Sequence, residues 1–261
     1  MGFQRFIKAL EARYQNWQSK NYEKTKYGRA LLKLKDQHRG ERCFVIGNGP
    51  SLSPEDLQKL HENGIACFAT NRIYKMFDRT DWRPTYYVSE DVNVLRGVQK
   101  EASQVPAEIK FIPVNLRWYE GIDIPGATYF YMEYKDELKE TFGLSIDVPH
   151  CVRCRGTVTT TCIQLAAYLG FSEIYLLGVD HSFSKMVDKN GNVIEDKSIK
   201  SHFIENYNSD IPDLGFHVDE ATDAYISAEK LSHKLKTFHI YNATRGGKLE
   251  VFERVNFDSM Y

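Results

Sequence analysis

Residues 43–52, CFVIGNGPSL, carry four apolar residues straight into Gly47-Asn48-Gly49-Pro50-Ser51-Leu52. A parallel strand buried on both faces reads as an unbroken apolar run. Glycines at 47 and 49 then let the backbone turn sharply and approach a ligand with no Cβ in the way. Pro50 has no N–H and a fixed φ that suits the start of a turn or helix. Ser53 or Asp56 can cap a helix through Leu57 and Leu60 that stops at Asn63-Gly64. Strand, glycine loop and helix form the ligand corner of dinucleotide folds, so Gly47, Asn48, Gly49 and Ser51 are expected beside a phosphate. The loop is neither GxGxxG nor a P-loop, whose lysine it lacks. A plain tight turn would use the same residues.

Beyond this corner the chain alternates. Apolar, β-branched or aromatic runs at 43–46, 65–69, 86–89, 111–114, 128–132, 174–179 and 238–241 predict strands. Helical spacing separates several of them, at 55–60, 92–102, 158–169 and 219–236. Such alternation predicts an α/β, Rossmann-like fold with a mainly parallel sheet flanked by helices. The stretch from His181 to Gly215 is too long for a plain connection and predicts a lid. Polar, with few apolar anchors and with Asn190-Gly191 and Ser209-Asp210 inside it, that lid is expected to be mobile when empty.

The first 42 residues differ from the rest. Phe3, Phe6, Ile7, Leu10, Tyr14 and Trp17 recur at helical spacing, with Arg5, Lys8 and Arg13 elsewhere around the wheel. Eleven Lys/Arg against four Asp/Glu give residues 1–42 a charge of +7, and the net charge of −1 leaves −8 on residues 43–261. The boundary at 42 therefore separates a basic amphipathic helical arm from the main domain. Such an arm suits the inner-membrane surface, its own domain, or a second copy in a homo-oligomer. The near-neutral total gives no reason to expect nucleic-acid binding. No apolar run approaches the ~18 residues of a membrane span, and no signal peptide is visible. An odd number of cysteines, five, mostly in apolar contexts, suits reduced thiols in the cytoplasm. Cys151-Val-Arg-Cys154 is a lone CxxC, and a structural role is expected for it.

Polar residues cluster just after predicted strands, where an open α/β sheet binds its ligand. Asn71 follows the second strand and Ser89-Glu90-Asp91 the third, Gly156-Thr157 opens a helix, and Asp180-His181 ends the strand at 174–179. Each alone suits a cap or turn. Converging on one edge, they suggest a nucleotide site built from N–H groups, amides and hydroxyls.

Several motifs in order carry a family resemblance: Asn48-Gly49-Pro50-Ser51-Leu52, Asn71-Arg72-Ile73-Tyr74, Leu169 to Leu176 with Gly178 and Asp180, and Ser201-His202-Phe203. The series resembles the bacterial sialyltransferases of glycosyltransferase family 42. It is also similar to the wider group of 6-hydroxymethylpterin diphosphokinase-like proteins and flagellin-glycosylating motility-associated factors. Gly178 to Phe183 and Asn242 to Phe252 look closest to members found in surface-polysaccharide loci. The resemblance implies a metal-independent, Rossmann-like glycosyltransferase with no cofactor. A CMP-nonulosonate would be the co-substrate, a glycan or glycolipid the acceptor, and Gly47, Asn48, Asn71 and Thr157 the nucleotide contacts. The chain departs from the sialyltransferase pattern at Ser89, which replaces an asparagine. Asn206 stands where that family has its histidine base, and no tyrosine between 181 and 192 matches those that contact the leaving phosphate.

Glycosyl transfer to a hydroxyl needs a base near neutral pKa and donors where the phosphate departs. His202 and His181 are the candidates for the base. Arg245, Lys248, Lys185 and Arg155 are the candidates at the phosphate, Arg245 foremost. A divalent ion on Asp180, His181 and His202 has only scattered spacing to recommend it. Two other functions fit the same sequence. One is a pyrophosphokinase using ATP and Mg²⁺, with Glu90, Asp91 and Asp180 around the phosphates. The other is a nucleotide-binding protein without catalysis.

Overall fold

The structure, a computed structural model, describes residue 10 and residues 13–133, 143–188, 191–209 and 215–261. Its strands are β1 (Arg42–Ile46), β2 (Ala66–Thr70), β3 (Tyr86–Val88), β4 (Ile109–Pro113), β5 (Thr128–Phe130), β6 (Met132–Glu133), β7 (Val152–Arg153), β8 (Glu173–Leu177), β9 (Lys185–Val187), β10 (Val193–Glu195), β11 (Phe216–His217), β12 (His239–Asn242) and β13 (Glu253–Arg254). Eight of them form one sheet in the order β13-β12-β8-β1-β2-β3-β4-β5, and every neighbouring pair is parallel. From β1 the chain steps outward to β5, then returns to β1's other side as β8. The order therefore reverses between β1 and β8, and a crevice opens at the carboxyl ends of those two strands.

Helix α1 (Lys26–Leu32) precedes β1, and the connections between strands carry α2 (Pro54–Glu62), α3 (Val92–Gln104), α4 (Val114–Glu120), α5 (Val158–Leu169) and α6 (Val218–Leu235). The apolar run of β1 is fully buried, Cys43 through Ile46, as two-sided coverage requires. Burying one side chain such as Phe44 is worth about 1.5–3 kcal/mol relative to leaving it exposed. Ser53, rather than Asp56, caps α2: its hydroxyl accepts from the Asp56 N–H, and Pro54 opens the helix. Nearly all of α5 is buried, including Thr160, Thr161 and Gln164. The Gln164 amide satisfies itself completely, accepting from the N–H groups of Ser145 and Arg153 and donating to the carbonyls of Arg153 and Thr160.

Four expectations change. The basic segment is not detached as far as residue 42. Tyr22 is fully buried and donates its hydroxyl to the Tyr129 carbonyl, Leu31 is fully buried, and the His38 ring stacks on Phe171 at 4.4 Å. Of the apolar stripe, Phe3, Phe6 and Ile7 lie outside the described residues. The 128–132 run splits at Tyr131, so that Met132 pairs with β7 in a separate two-stranded sheet. The run predicted to reach Val114 ends at Pro113, where α4 begins. Finally, 181–215 is not a plain loop: β10, β9 and β11 form a small sheet within and beside it. Lys189, Asn190 and Asp210 lie outside the described residues.

Candidate functional site

A cleft of about 1170 Å³ lies at the crevice between β1 and β8. Its walls include the turns after β1, β2, β3 and β8, the start of α5, and the segment 200–209. Gly47, Asn48, Gly49, Asn71, Gly156, Thr157, Asp180, His181 and His202 all line it. Ser51, Ser89 and Arg245 do not. A second cleft, of about 690 Å³, sits at the opposite, amino edge of the strands around His38, Arg42, Thr85 and Glu173. That edge is the wrong one for ligand binding in an open α/β sheet.

The glycine loop earns its glycines by close approach. Neither Gly47 nor Gly49 has a positive φ. A Cβ on Gly47 would sit 2.2 Å from the Gly178 carbonyl oxygen, and one on Gly49 would sit 1.9 Å from Asp180 Oδ2. The N–H groups of Gly47 and Gly49 donate to the carbonyls of Leu177 and Gly178 at 2.8 and 2.9 Å. They are thus spent on joining β1 to β8, which corrects the expectation that this loop cradles phosphate with its backbone. The first turn of α2 also carries Glu55 and Asp56, which disfavour an anion there.

Asp180 ties the walls together. Its carboxylate accepts from the Ser51 hydroxyl at 2.8 Å, and its carbonyl accepts from the Lys248 N–H at 2.7 Å. Burial pushes the carboxyl's pKa up, while the hydrogen bonds from Ser51 pull it back down. Arg245, expected at the phosphate, points elsewhere. Its guanidinium donates to Asp56 Oδ1 at 2.9 Å and to Asp258 Oδ2 at 3.1 Å, clamping α2 to the segment after β13. Ser89 is fully buried and positions Asn71 by donating to its Oδ1 at 3.0 Å.

Anion binding is better served by α5. Thr157 caps it by accepting from the Thr159 N–H, and its first turn has no acidic residue. Arg155, Gly156, Thr157, Val158 and Thr159 all face the cleft. Gly156 has φ +62°, and a Cβ there would meet the Ala221 backbone at 2.7 Å, so only glycine brings the cap this close to α6. An N-terminal helix dipole beside Arg155 favours a phosphate.

Two histidines line the cleft from different segments. His181 Nε2 lies 2.8 Å from Thr222 Oγ1, whose own hydrogen goes to the Val218 carbonyl. Nε2 must therefore be the donor, which leaves Nδ1 as acceptor in the neutral ring. Burial lowers the pKa of this imidazole, favouring that neutral form. The His202 ring lies parallel on Tyr207 at 4.1 Å. Tyr207 is buried; its hydroxyl accepts from the Arg72 N–H, and its carbonyl accepts from Lys75 Nζ. The Phe203 N–H donates to the Asn48 carbonyl at 3.1 Å. These anchors hold 202–207 against the β1 and β2 turns, contrary to the expectation of a weakly anchored lid.

Three non-glycine residues of the cleft adopt left-handed backbone: Asn71 at +51°, His181 at +52° and Asn206 at +56°. Such conformations cost about 1–3 kcal/mol each and collect at functional sites. Asn48 donates its amide to Thr70 Oγ1 at 3.0 Å, while its Oδ1 is buried without a partner. Glu90 also faces the cleft, its carboxyl raised in pKa by burial and accepting from the Cys154 thiol at 3.1 Å. Cys151 instead donates to Glu133. Flanking the two residues of β7, the two thiols take different partners, and burial pushes the Cys151 thiol up to about 11 and that of Cys154 well above its ordinary value. Both are structural, inert thiols. Sequence reasoning missed Tyr207, for which a lone tyrosine in a polar run was the only available signal.

The crevice, the parallel sheet and the helix start facing the cleft define a Rossmann-like α/β protein. The chain belongs to the 6-hydroxymethylpterin diphosphokinase MptE-like family, whose sequence profile matches residues 16–186. Among solved structures it resembles the MAf glycosyltransferase from Magnetospirillum magneticum AMB-1, with a TM-score of 0.52 at 15% identity. The similarity covers 92% of this chain and 39% of that protein, so the chain spans about two fifths of the length of that relative. Among curated proteins none matches by sequence. None of the described helices is long and apolar enough to cross a membrane.

Proposed function

We propose that this chain is a glycosyltransferase that takes its sugar from a nucleotide-activated donor, for cell-surface polysaccharide or glycoconjugate synthesis. The reading is carried by one pairing: an anion-ready helix start at Thr157 and a neutral, orientation-fixed imidazole at His181, both lining one cleft. The donor phosphates would lie at the start of α5 beside Arg155, and the nucleoside against Asn48 and Asn71. The acceptor hydroxyl attacks the anomeric carbon as the bond to the phosphate breaks. His181 Nδ1 takes the hydroxyl's proton, and the departing charge rests on the helix N-terminus and Arg155. His202, stacked on Tyr207, shapes the acceptor side. The MAf fold likeness is compatible with this reading, and the sialyltransferase-like motifs make a CMP-nonulosonate the first donor to test.

A second reading is a pyrophosphokinase using ATP and Mg²⁺, because the family's description names one. The cleft's carboxylates fit the ion poorly. Asp180 is held by Ser51, Glu90 by Cys154, and Asp91 caps α3 through the N–H groups of Asn93 and Val94. Among the described residues no three His, Cys, Asp or Glu cluster as metal ligands. Turnover with CMP-, UDP-, GDP- and CDP-sugars, against ATP with a hydroxymethylpterin, separates the two. The transferase reading expects release of nucleotide from one sugar donor, insensitive to chelator. Chelator-sensitive release of AMP from ATP, with no sugar donor used, would overturn it.

A further inference from the structure

The helical stretch over 13–20 and the preceding Leu10 expose three large apolar side chains close together. Leu10, Tyr14 and Trp17 are 48, 60 and 51% exposed. Spacings of four and three put them on one helix face, and the Tyr14 and Trp17 rings stack at 6.2 Å. Immediately C-terminal, Lys20, Lys24, Lys26, Arg29, Lys33 and Lys35 are exposed. The acids among them are already engaged: Glu23 faces His150, Asp36 pairs with Arg39, and Glu41 with His38.

From this we infer that Leu10 and residues 13–35 form a docking surface for an anionic lipid bilayer. Trp and Tyr are the side chains that settle at the headgroup level, with an apolar body and a polar tip. Basic residues beside them supply the attraction to anionic headgroups. Two copies meeting through this surface would bring together two segments that each carry +5 over residues 10–35, and that repulsion argues for lipid over a second copy. The inference does not depend on which group the cleft transfers. Because the chain is fixed to the domain from Tyr22 onward, only the part before it is available to lie in the interface.

Of the three tryptophans, Trp82 is 1% exposed and Trp118 packs against the core, so a shift in emission on vesicle binding reports chiefly on Trp17. The 261-residue chain mixed with phosphatidylglycerol vesicles should co-sediment and blue-shift its emission; phosphatidylcholine vesicles should do neither. Binding should weaken steeply between low and physiological salt. Trp17→Phe should keep co-sedimentation and lose the blue shift. Y14E/W17E should lower the partition coefficient at least tenfold with an unchanged melting temperature, and K20E/K24E should lower it for phosphatidylglycerol too. Equal binding to both vesicle types overturns the proposal, as does wild-type partitioning of Y14E/W17E. A wild-type oligomer that Y14E/W17E dissociates would assign the surface to a second copy instead, and would equally overturn it.

Discussion

His181→Ala is expected to lower turnover about 10²-fold or more while leaving donor affinity within a few-fold, because a positioned base acts on the chemical step. The ring is fixed by its hydrogen bond to Thr222, and burial lowers its pKa, so it stands neutral and ready at pH 7. The wild-type rate should therefore fall on the acid side at a pH below the ordinary histidine value of about 6.5. That limb should be missing from the mutant's residual activity. The same shift makes a stability statement. Folding disfavours the charged imidazole, so the stability it adds is fully present above about pH 6.5 and is lost as the pH falls through the lowered folded value. His202→Ala should act mainly on KM for the acceptor. A large kcat loss in His202→Ala with near-normal His181→Ala would move the base to His202.

Gly47→Ala is expected to destabilise the fold more than any other single change at the cleft. The added Cβ would lie 2.2 Å from a backbone oxygen and 2.8 Å from a backbone carbon of Gly178. Backbone cannot swing aside as a side-chain tip can. Overpacking costs of about 1–3 kcal/mol are ordinary, and this contact joins the two central strands, so the upper end or beyond is expected. At about 2–4 °C per kcal/mol for chains of this size, that is a fall in Tm of roughly 6 °C or more. Gly49→Ala meets chiefly the tip of Asp180, at 1.9 Å, and the Gly178 backbone oxygen only at 2.7 Å. It should cost less stability but break the Ser51–Asp180 bond. An unchanged Tm in Gly47→Ala would show that the β1–β8 contact is looser than described.

The sheet and its ligand edge were legible because both follow from local pattern. Buried parallel strands write themselves as apolar runs, and the residues just past them carry the cleft whatever the side-chain detail. Asn71, Asp180 and His181 were reached in this way, and Thr157 as the residue that opens a predicted helix. What could not be read was which partner each polar group finds. Arg245 lies in a glycine-rich turn that invites a phosphate, yet Asp56, 189 positions away, and Asp258, 13 positions on, claim it. The N–H groups of Gly47 and Gly49 looked available, but Leu177 and Gly178, some 130 positions away, already accept from them. The anchoring of 202–207 rests on Tyr207 meeting Arg72, a long-range contact without periodicity. The end of the arm was misplaced because charge, unlike apolar spacing, does not mark where packing begins.

The central claim is that donor phosphate binds at the start of α5. Thr157→Asp tests it, since aspartate caps a helix as well as threonine does but sets a negative charge where the phosphate should sit. Melting curves with the turned-over nucleotide sugar at ~100 times its dissociation constant should show about 2.7 kcal/mol of stabilisation in the wild type. Thr157→Asp should melt like the wild type without ligand and lose most of that shift with it. Full stabilisation of Thr157→Asp by the same ligand would place the phosphate elsewhere and contradict the account.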